Sequence, residues 1–182
     1  MDDRPQPEHR VGEPPDAAAL HSVLVEAFAT YRHWVPEGWS PGMDLADRDG
    51  WRIAERLGEP GYWCLIAESG GEAVGYVVLR PAVTQEEPPE PIPGLAHVWH
   101  IFVRPAWWGS GVAARLLRCA LREAERQGYR SARLWTPRDN ARARAFYRRE
   151  GFRETGAERY AEDLDLDLVQ YRRPLGGTML AP

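Results

Sequence analysis

Apolar residues recur at helical spacing in two long segments of the chain, each bounded by residues typical of helix ends. The first segment follows Asp16, whose carboxylate can cap a helix N-terminus. The second runs from Ser110 to Gln127, with Gly128 at the position of a C-cap glycine. Both are predicted to be amphipathic helices, and their apolar faces contain Leu20, Val23, Leu24, Ala27 and Phe28 in the first and Val112, Leu116, Leu117, Ala120, Leu121 and Ala124 in the second.

Two shorter helices are predicted from the same kind of pattern. Asp139 and Asn140 are candidate caps for a helix that runs through Arg149 and is closed by Gly151. The other would span residues 47–57, after the proline- and glycine-containing stretch YRHWVPEGWSPG, and its apolar side would be formed by Trp51, Ile53, Ala54 and Leu57.

Runs rich in β-branched and aromatic residues predict up to seven strands. Two of them, in YWCLIAESGGEAVGYVVLRPAV, flank Gly70 and Gly71 and predict a hairpin. The others lie near residues 9–11, in LAHVWHIFV before Pro105, in SARLWTP, and in FRETGAERY and LDLVQYRRPL, which suggest a final antiparallel pair. The proline-dense TQEEPPEPIPG is predicted to be an exposed loop and not an element.

Length and composition predict one domain over residues 9–175, with a mobile N-terminal segment 1–8 and a C-terminal tail 176–182. The net charge is -4, and all 23 basic residues are arginines. Nucleic acid is therefore not an expected partner, and lysine-dependent chemistry and a Walker phosphate loop are excluded for this chain. No apolar run approaches the ~18 residues of a membrane span, so a cytoplasmic protein is expected. Cys64 and Cys119 are interpreted as buried thiols, with a single disulfide as the alternative.

The stretch RPAWWGSGVAARLL places glycines and small residues directly before a helix. Amide groups at a helix N-terminus lack internal partners, and Gly109–Ala114 would let an anion such as a diphosphate approach them. The spacing also satisfies a minimal dinucleotide-binding fingerprint, but the following strand, SARLWTP, ends without an acidic residue. An ordinary strand-to-helix connection is the alternative.

Two linked motifs resemble the GCN5-related N-acetyltransferase (GNAT) superfamily. They are HVWHIFVRPAWWGSGVAARLL, similar to the family's Q/R-x-x-G-x-G/A turn after an apolar strand, and TPRDNARARAFYRREGF, similar to its N-x-x-A-x-x-F-Y segment. The resemblance implies an α+β fold, an α/β/α sandwich whose mixed, mostly antiparallel sheet has six to seven strands and is splayed between the fourth and fifth, with about four helices. It also implies transfer of an acetyl group from acetyl-CoA, without a metal, to a primary amine of a small molecule or peptide by direct attack in a ternary complex.

The resemblance implies which residues bind acetyl-CoA. The glycine turn would cradle the diphosphate, the strand before it would offer main-chain groups to the pantetheine arm, and the start of the later helix would let that arm pass. The expected cofactor-binding residues are Ile101, Val103, Trp108, Gly109, Ser110, Gly111, Val112, Ala113, Ala114, Asn140, Ala143 and Tyr147. Trp108 departs from the family's Gln or Arg, and Ala113 from its last glycine. Asn140 can equally be a plain helix N-cap.

Three residues are expected to be catalytic by the same resemblance. Tyr147 would protonate the leaving thiolate, and His97 or His100 would accept a proton from the amine. Strand alternation places the two histidines on opposite faces, but a β-bulge, common in this strand of the family, would reverse that parity. His97 is the favoured base. The alternatives are packing roles for all three, with the amine arriving already deprotonated.

The acceptor is the least readable part of the sequence. Tyr31, Trp34 and Trp39 could form an aromatic wall for it or pack in the core. Three glutamates in the proline-rich loop suggest a cationic amine: Glu86, Glu87 and Glu90. A catalytically silent acyl-CoA sensor and an aminoacyl-tRNA acetyltransferase are the competing functions, and a homodimer is common among relatives.

Overall fold

A computed structural model describes residues 6–35, 37, 39 and 55–176. Seven strands and three helices have bounds within these residues. The strands are β1 Glu8–Val11, β2 Trp63–Ser69, β3 Glu72–Val83, β4 Pro91–Val103, β5 Ser131–Pro137, β6 Arg153–Ala161 and β7 Leu166–Pro174. The helices are α1 Ala17–Phe28, α2 Val112–Arg126 and α3 Ala141–Arg149.

The strands form one sheet in the order β1-β2-β3-β4-β5-β7-β6. All neighbours are antiparallel except β4 and β5, which run parallel. These two strands pair only where Leu95–His97 of β4 meets Ser131–Arg133 of β5. Beyond those residues the strands diverge and leave a wedge in the middle of the sheet. The mixed, splayed sheet expected from the sequence is thereby confirmed.

Helices cover both faces of the sheet. Helix α1 packs on β3 and β4 from one side, where Leu20 and Val23 join Tyr76 and Val78 in a small core. Helix α2 packs on the other side against β2, β3 and β4. Its predicted apolar face is confirmed, because all six residues are buried: Val112, Leu116, Leu117, Ala120, Leu121 and Ala124. Helix α3 joins α2 in this larger core through Tyr147.

Close contact between α2 and β3 explains a glycine in the middle of a strand. A Cβ atom added to Gly75 would lie 2.9 Å from Cγ2 of Val103 and 3.3 Å from Cδ1 of Leu116. The missing side chain therefore lets α2 pack tightly on the sheet, directly beside the end of β4.

Several local predictions are confirmed. The hairpin β2–β3 turns at Gly70 and Gly71, with φ values of +61° and +81°. Gly128 follows α2 with a φ of +84°, as a C-cap glycine requires. The final pair of strands, β6 and β7, is antiparallel.

Two local predictions are wrong. The segment after the proline-rich loop was expected to enter a strand at Leu95, but β4 begins at Pro91, which pairs with Val83. A hydrogen bond from the Thr84 amide to the Glu90 carbonyl closes the loop. It brings the end of β3 next to Pro91, so that β4 starts four residues before Leu95. Asp16 does not cap α1, because its carboxylate accepts hydrogen bonds from the Arg10 guanidinium and the Glu13 amide.

Both cysteines are free thiols. Cys64 is buried, and burial raises the pKa of its thiol to about 12. Cys119 was expected to be buried as well, but it is only partly buried. Its sulfur accepts a hydrogen bond from the Arg122 guanidinium, one turn further along α2. Residues 47–54 of the helix predicted over 47–57 lie outside the described residues, and Leu57 is buried. No helix of the described part of the chain has the length and hydropathy of a membrane span.

Candidate active site

A cavity of about 560 Å³ occupies the wedge between β4 and β5. Its walls come from the end of β4, the glycine turn before α2, the end of β5, the start of α3 and the segment after α1. Because the two strands stop pairing after three residues, the cavity reaches into the middle of the sheet. The residues that the sequence assigned to the site and that line this cavity are Tyr31, Trp34, His100, Ile101, Val103, Trp108, Gly109, Gly111, Ala113, Ala114, Asn140, Ala143 and Tyr147.

The glycine turn presents unpartnered main-chain amides to the cavity. Gly109 and Gly111 have φ values of +82° and +86°, which favour glycine, and these values orient the turn so that α2 starts at Val112. In the described residues no acceptor is bonded to the amides of Gly109, Gly111, Val112, Ala113 or Ala114. Together with the positive end of the α2 dipole, these amides form a site suited to an anion.

Ser110 takes a different part in the turn. Its amide lies 3.3 Å, and its hydroxyl 2.6 Å, from the Trp107 carbonyl oxygen, and both donate to it. Ser110 and Val112 do not line the cavity, and the Val112 side chain is buried under α2. Ser110 therefore stabilises the turn through its bonds to Trp107, while Gly109 and Gly111 on either side of it line the cavity.

The two tryptophans before the turn have separate surroundings. Trp107 packs against the larger core, whereas the Trp108 ring is 39% exposed. The Trp108 indole nitrogen donates to the Val103 carbonyl at 2.9 Å, and the guanidinium carbon of Arg142 lies 3.2 Å from the centroid of the Trp108 ring. Trp108 thus ties the turn to the end of β4 and holds Arg142, from α3, at the cavity wall.

The end of β4 offers main-chain groups to the wedge. The Arg104 amide donates to the Val74 carbonyl in β3, so alternate residues of this strand turn their polar groups toward β3. Ile101 and Val103 therefore turn theirs toward the wedge. The Val103 carbonyl already accepts the bond from Trp108, which leaves the Val103 amide and both main-chain groups of Ile101 available.

The start of α3 forms the opposite wall. The side-chain oxygen of Asn140 accepts a bond from the Ala143 amide at 3.0 Å, so Asn140 is the N-cap of this helix. Both residues also line the cavity. Asn140 therefore caps the helix and lines the cavity at the same time.

Tyr147 lies on α3 with its ring packed in the core. The ring centroid is 5.2 Å from that of Phe146 and 6.1 Å from that of Phe152, and the residue is only 8% exposed. Burial, and secondarily Tyr31, raises the pKa of Tyr147, so its hydroxyl stays protonated at neutral pH. No hydrogen bond within the described residues occupies this hydroxyl, although the residue lines the cavity.

A β-bulge in β4 places His97 and His100 on the same face of the sheet. His97 lies opposite Arg80 of β3 and His100 opposite Val78, and Trp99 is the extra residue between them. Arg80 and Val78 are two positions apart and share a face, so the histidines do too. This face is the one covered by α1. Of the two histidines, only His100 lines the cavity.

Both histidines are neutral at physiological pH. Burial, and then Arg80, lowers the pKa of His100 to about 3. Burial lowers the pKa of His97 well below its usual value, and Arg80, Arg133, Arg159 and His100 lower it further. The sequence favoured histidine as a base because it ordinarily titrates near neutral pH, and these surroundings remove that advantage.

The three aromatic residues proposed for the acceptor form a cluster. The Tyr31 ring is 4.5 Å from the Trp34 ring and 5.7 Å from the Trp39 ring, between centroids. Tyr31 and Trp34 line the cavity, whereas Trp39 donates its indole N–H to the Leu164 carbonyl, between β6 and β7, at 2.8 Å. This cluster therefore links the segment after α1 to the far half of the sheet.

Sequence reasoning missed several residues of the cavity wall. Trp99, Trp135, Arg142 and Phe146 all line it. The motif that identified the α3 region contained Arg142 and Phe146, but nothing in its spacing distinguished their side chains from exposed helix positions. Trp99 and Trp135 are brought together only by the parallel pairing of β4 and β5.

Comparison with known proteins agrees with this architecture. A family model described as "Acetyltransferase (GNAT) family" matches residues 19–152, so the chain belongs to the GNAT acetyltransferase family. Mycothiol acetyltransferase from Parafrankia sp. (strain EAN1pec) is 29% identical over 199 residues, covering 96% of this chain and 58% of the relative. The chain thus spans little more than half the length of that protein.

Solved structures share the fold across nearly the whole chain. The ribosomal-protein-S18-alanine N-acetyltransferase from Escherichia coli superposes with a TM-score of 0.66 at 21% identity, covering 96% of this chain and 100% of that one. The PaiA N-acetyltransferase from Thermoplasma acidophilum, crystallised with coenzyme A, gives 0.64 at 18% identity, with 93% and 100% covered.

Proposed function

We propose that this protein is an N-acetyltransferase that moves an acetyl group from acetyl-CoA to a primary amine of a small molecule or peptide. The observation that carries the proposal is the set of open amides at the start of α2, which face a cavity between splayed strands. Membership in the GNAT family supports the same activity.

The cavity walls fit the parts of acetyl-CoA. The amides of Gly109, Gly111 and Ala113 suit the diphosphate, and neither glycine carries a Cβ that would narrow the approach. Arg142 supplies the positive charge that Trp108 cannot. The wedge-facing groups of Ile101 suit the amides of the pantetheine arm, which would extend β4 as a strand partner does.

The reaction needs no covalent enzyme intermediate. The neutral amine attacks the thioester carbonyl carbon, a C–N bond forms, and the C–S bond breaks as the tetrahedral intermediate collapses. Tyr147 donates its hydroxyl proton to the departing thiolate, a role that its protonated hydroxyl and its place in the cavity lining suit. The proton lost by the amine nitrogen returns to solvent or to Tyr147, so that the products are the amide and the free thiol.

A histidine can assist the loss of the amine proton. His100 lines the cavity, which makes it the better placed of the two candidate bases, although His97 was favoured from the sequence. The low pKa of His100 makes it a weak base for a free ammonium ion. The amine would therefore enter already neutral, and His100 would accept a hydrogen bond from the attacking N–H without holding its proton.

Two measurements test the proposal. Calorimetry on the full chain should show acetyl-CoA binding, and a thiol-release assay over a panel of primary amines should show turnover above background. Absence of coenzyme A binding contradicts the whole proposal. Binding without thiol release for any amine would favour a sensor that keeps the cradle but performs no transfer.

A further inference from the structure

Three arginines from three strands surround His97 on the face of the sheet covered by α1. His97 lies opposite Arg80 of β3 on one side and opposite Arg133 of β5 on the other. Arg159 of β6 is close enough that its charge acts on both His97 and Arg133. Strands far apart in sequence therefore bring four nitrogen-bearing side chains to one place, outside the residues that line the cradle.

These cations lack the acidic partners that other arginines of this chain have. Seven arginines form ion pairs with carboxylates among the described residues: Arg10, Arg56, Arg104, Arg118, Arg126, Arg138 and Arg144. Within the same residues, Arg80, Arg133 and Arg159 form none. Asp163 is the described acid whose charge acts on Arg159.

Buried nitrogen atoms at this place have no hydrogen-bond partner. They are Nδ1 of His97, Nε of Arg80 and Nε of Arg133, as far as the described residues show. His97 and Arg133 are only 5% and 7% exposed. Among the residues that the structure describes, the Arg133 guanidinium donates from Nη2 to the Val83 carbonyl at 2.6 Å. Unpartnered buried polar groups are rare and destabilising, so they point to a ligand.

The charges at this place oppose one another. Burial, and then the charges of Arg80, Arg159 and Arg172, lower the pKa of Arg133 to about 10. Arg159 is exposed, but partial desolvation of its guanidinium and the charge of Arg80 also lower its pKa. Such a cluster is unfavourable on its own, and an anion that enters it relieves the repulsion between the guanidinium groups.

The cluster is connected to the active-site cavity through two indole rings. The guanidinium of Arg80 lies 5.1 Å from the Trp99 ring centroid, and that of Arg159 lies 5.1 Å from the Trp135 ring centroid. Both tryptophans line the cavity, on either side of the wedge. A ligand held by the arginines would thus lie beside the reacting end of the cavity, on the opposite side of the sheet from α2.

We propose that the acceptor is an amine that also carries an anionic group, a carboxylate or a phosphate, and that Arg80, Arg133 and Arg159 bind this group. The inference rests on the proposed acetyltransferase function and narrows its substrate class. The acidic loop with Glu86, Glu87 and Glu90, which suggested a cationic acceptor, is exposed and does not enter the cavity lining. The arginines hold the anionic end, and the neutral amino group extends toward the thioester.

The direct test needs no knowledge of the true acceptor. In coenzyme A-saturated protein, the arginine Nε–H signals are followed by NMR during titration with malonate and, separately, with inorganic phosphate. The signals of Arg80 and Arg133, assigned from the Arg80→Gln and Arg133→Gln spectra, should shift saturably with at least one anion. The signal of Arg122, on the exposed side of α2, should not. The anion that saturates first distinguishes carboxylate from phosphate.

A second test compares amines that differ only in the anionic group. β-Alanine is paired with β-alaninamide, and O-phosphoethanolamine with ethanolamine, in the thiol-release assay. The anionic member of one pair should have a kcat/KM about tenfold higher or more, because the neutral partner leaves the guanidinium groups unpaired. Arg159→Gln should remove most of that preference and Arg159→Lys less, whereas Arg122→Gln should leave it unchanged.

The outcomes separate the two proposals. If calorimetry shows no binding of coenzyme A, the proposed function fails. If coenzyme A binds but Arg80 and Arg133 show no saturable response to either anion, the anionic-acceptor proposal is overturned. Equal rates for both members of each reactive pair overturn it as well. Arg159 is exposed, so its variants should fold even where Arg133→Gln does not.

Discussion

The turn that lines the cavity and the cluster beside it on the α1 face are formed by different kinds of chemical group. The wall at the start of α2 consists of main-chain amides and small side chains, contributed by one continuous stretch around Gly109–Ala114. On the α1 face, beside the cavity but outside its lining, lie large, titratable side chains from β3, β4, β5 and β6, including Arg80, His97 and Arg133. The glycine turn can be written as a sequence motif, whereas the side-chain cluster comes together only when the sheet forms.

Under the proposed function, this difference separates the region that would bind a common acyl donor from the region that would select a particular acceptor. Main-chain amides recognise the diphosphate of any acyl-CoA, and their positions depend on backbone conformation more than on side-chain identity. Side chains on several strands can change one at a time without disturbing the cradle. Variants on the two sides should therefore affect different steps, in the following order of expected size.

The largest effect is expected for Tyr147→Phe, which removes the proton donor from the cofactor side while keeping the ring. Thiol release should slow by about 100-fold, as loss of a general acid commonly does, with coenzyme A affinity unchanged. The rate and the affinity are measured separately, by thiol release and by calorimetry. Phe146→Leu, at the neighbouring helix position, serves as a packing control, and equal loss in both variants would assign Tyr147 a packing role only.

Gly111→Ala should weaken coenzyme A binding by about tenfold. An alanine at a φ of +86° is strained by ~1–2 kcal/mol, and the turn can relieve the strain only by redirecting its amides. Gly128→Ala is the matched control, because it has a φ of +84°, equally open space, and a position at the far end of α2. Both variants should lose similar stability, and only Gly111→Ala should lose affinity, as calorimetry would show.

Acid should destabilise the protein through its buried histidines. The folded-state pKa of His100 is about 3, below the unfolded value near 6.5, so its contribution is present above pH 6.5 and is lost as the pH falls toward 3. Between pH 6.5 and 5.5 this histidine alone should reduce the free energy of unfolding by about 1 kcal/mol, roughly fivefold in the unfolding constant.

Urea unfolding at those two pH values measures this effect. His100→Gln should flatten the pH dependence by that amount, although His97 and His9, whose pKa values are also lowered, will keep part of it. A variant with the unchanged wild-type slope would show that His100 is not held neutral by its surroundings.

The smallest effect is expected for Arg142→Gln. This arginine lies on the Trp108 ring at the cavity wall, and its charge is partly screened by solvent, so coenzyme A affinity should fall by only about threefold. Arg148→Gln makes the same charge change on an exposed position of α3 away from the cavity. If the two variants bind coenzyme A equally, Arg142 does not assist the diphosphate.

Much of the fold could be predicted because its signals are local. The apolar face of α2, the glycines of the β2–β3 turn and the Asn140 cap each depend on neighbours within a few residues. Asp16 was mispredicted because a competing partner, Arg10, reaches it from the paired strand β1. The early start of β4 at Pro91 was missed because prolines argue against a strand in the sequence. The strand begins there because Pro91 pairs with Val83 of β3.

Much of the cavity lining could be predicted from the two motifs, including the side chains of Asn140 and Tyr147. The cradle follows from glycines and small residues in one stretch, whereas the arginine cluster requires the register of β3, β4 and β5. Arg80 and Arg133 stand 53 positions apart in sequence, and nothing in the pattern around either distinguishes it from other arginines of the chain. The pKa shifts of His97 and His100 were equally inaccessible, because they come from burial and from those distant charges.

The short β4–β5 pairing has a mechanical consequence. Strands β4 and β5 pair over only three residues each, and this pairing joins the half-sheet β1–β4 to the half-sheet β5–β7. Main-chain hydrogen bonds between β4 and β5 therefore contribute little to holding the two halves together. A molecule bonded to Ile101 on one edge and to α3 on the other would act as a cross-link between the halves. Donor binding would then make the whole domain more rigid, and slower amide hydrogen exchange along β5 would measure how strongly the two halves are linked.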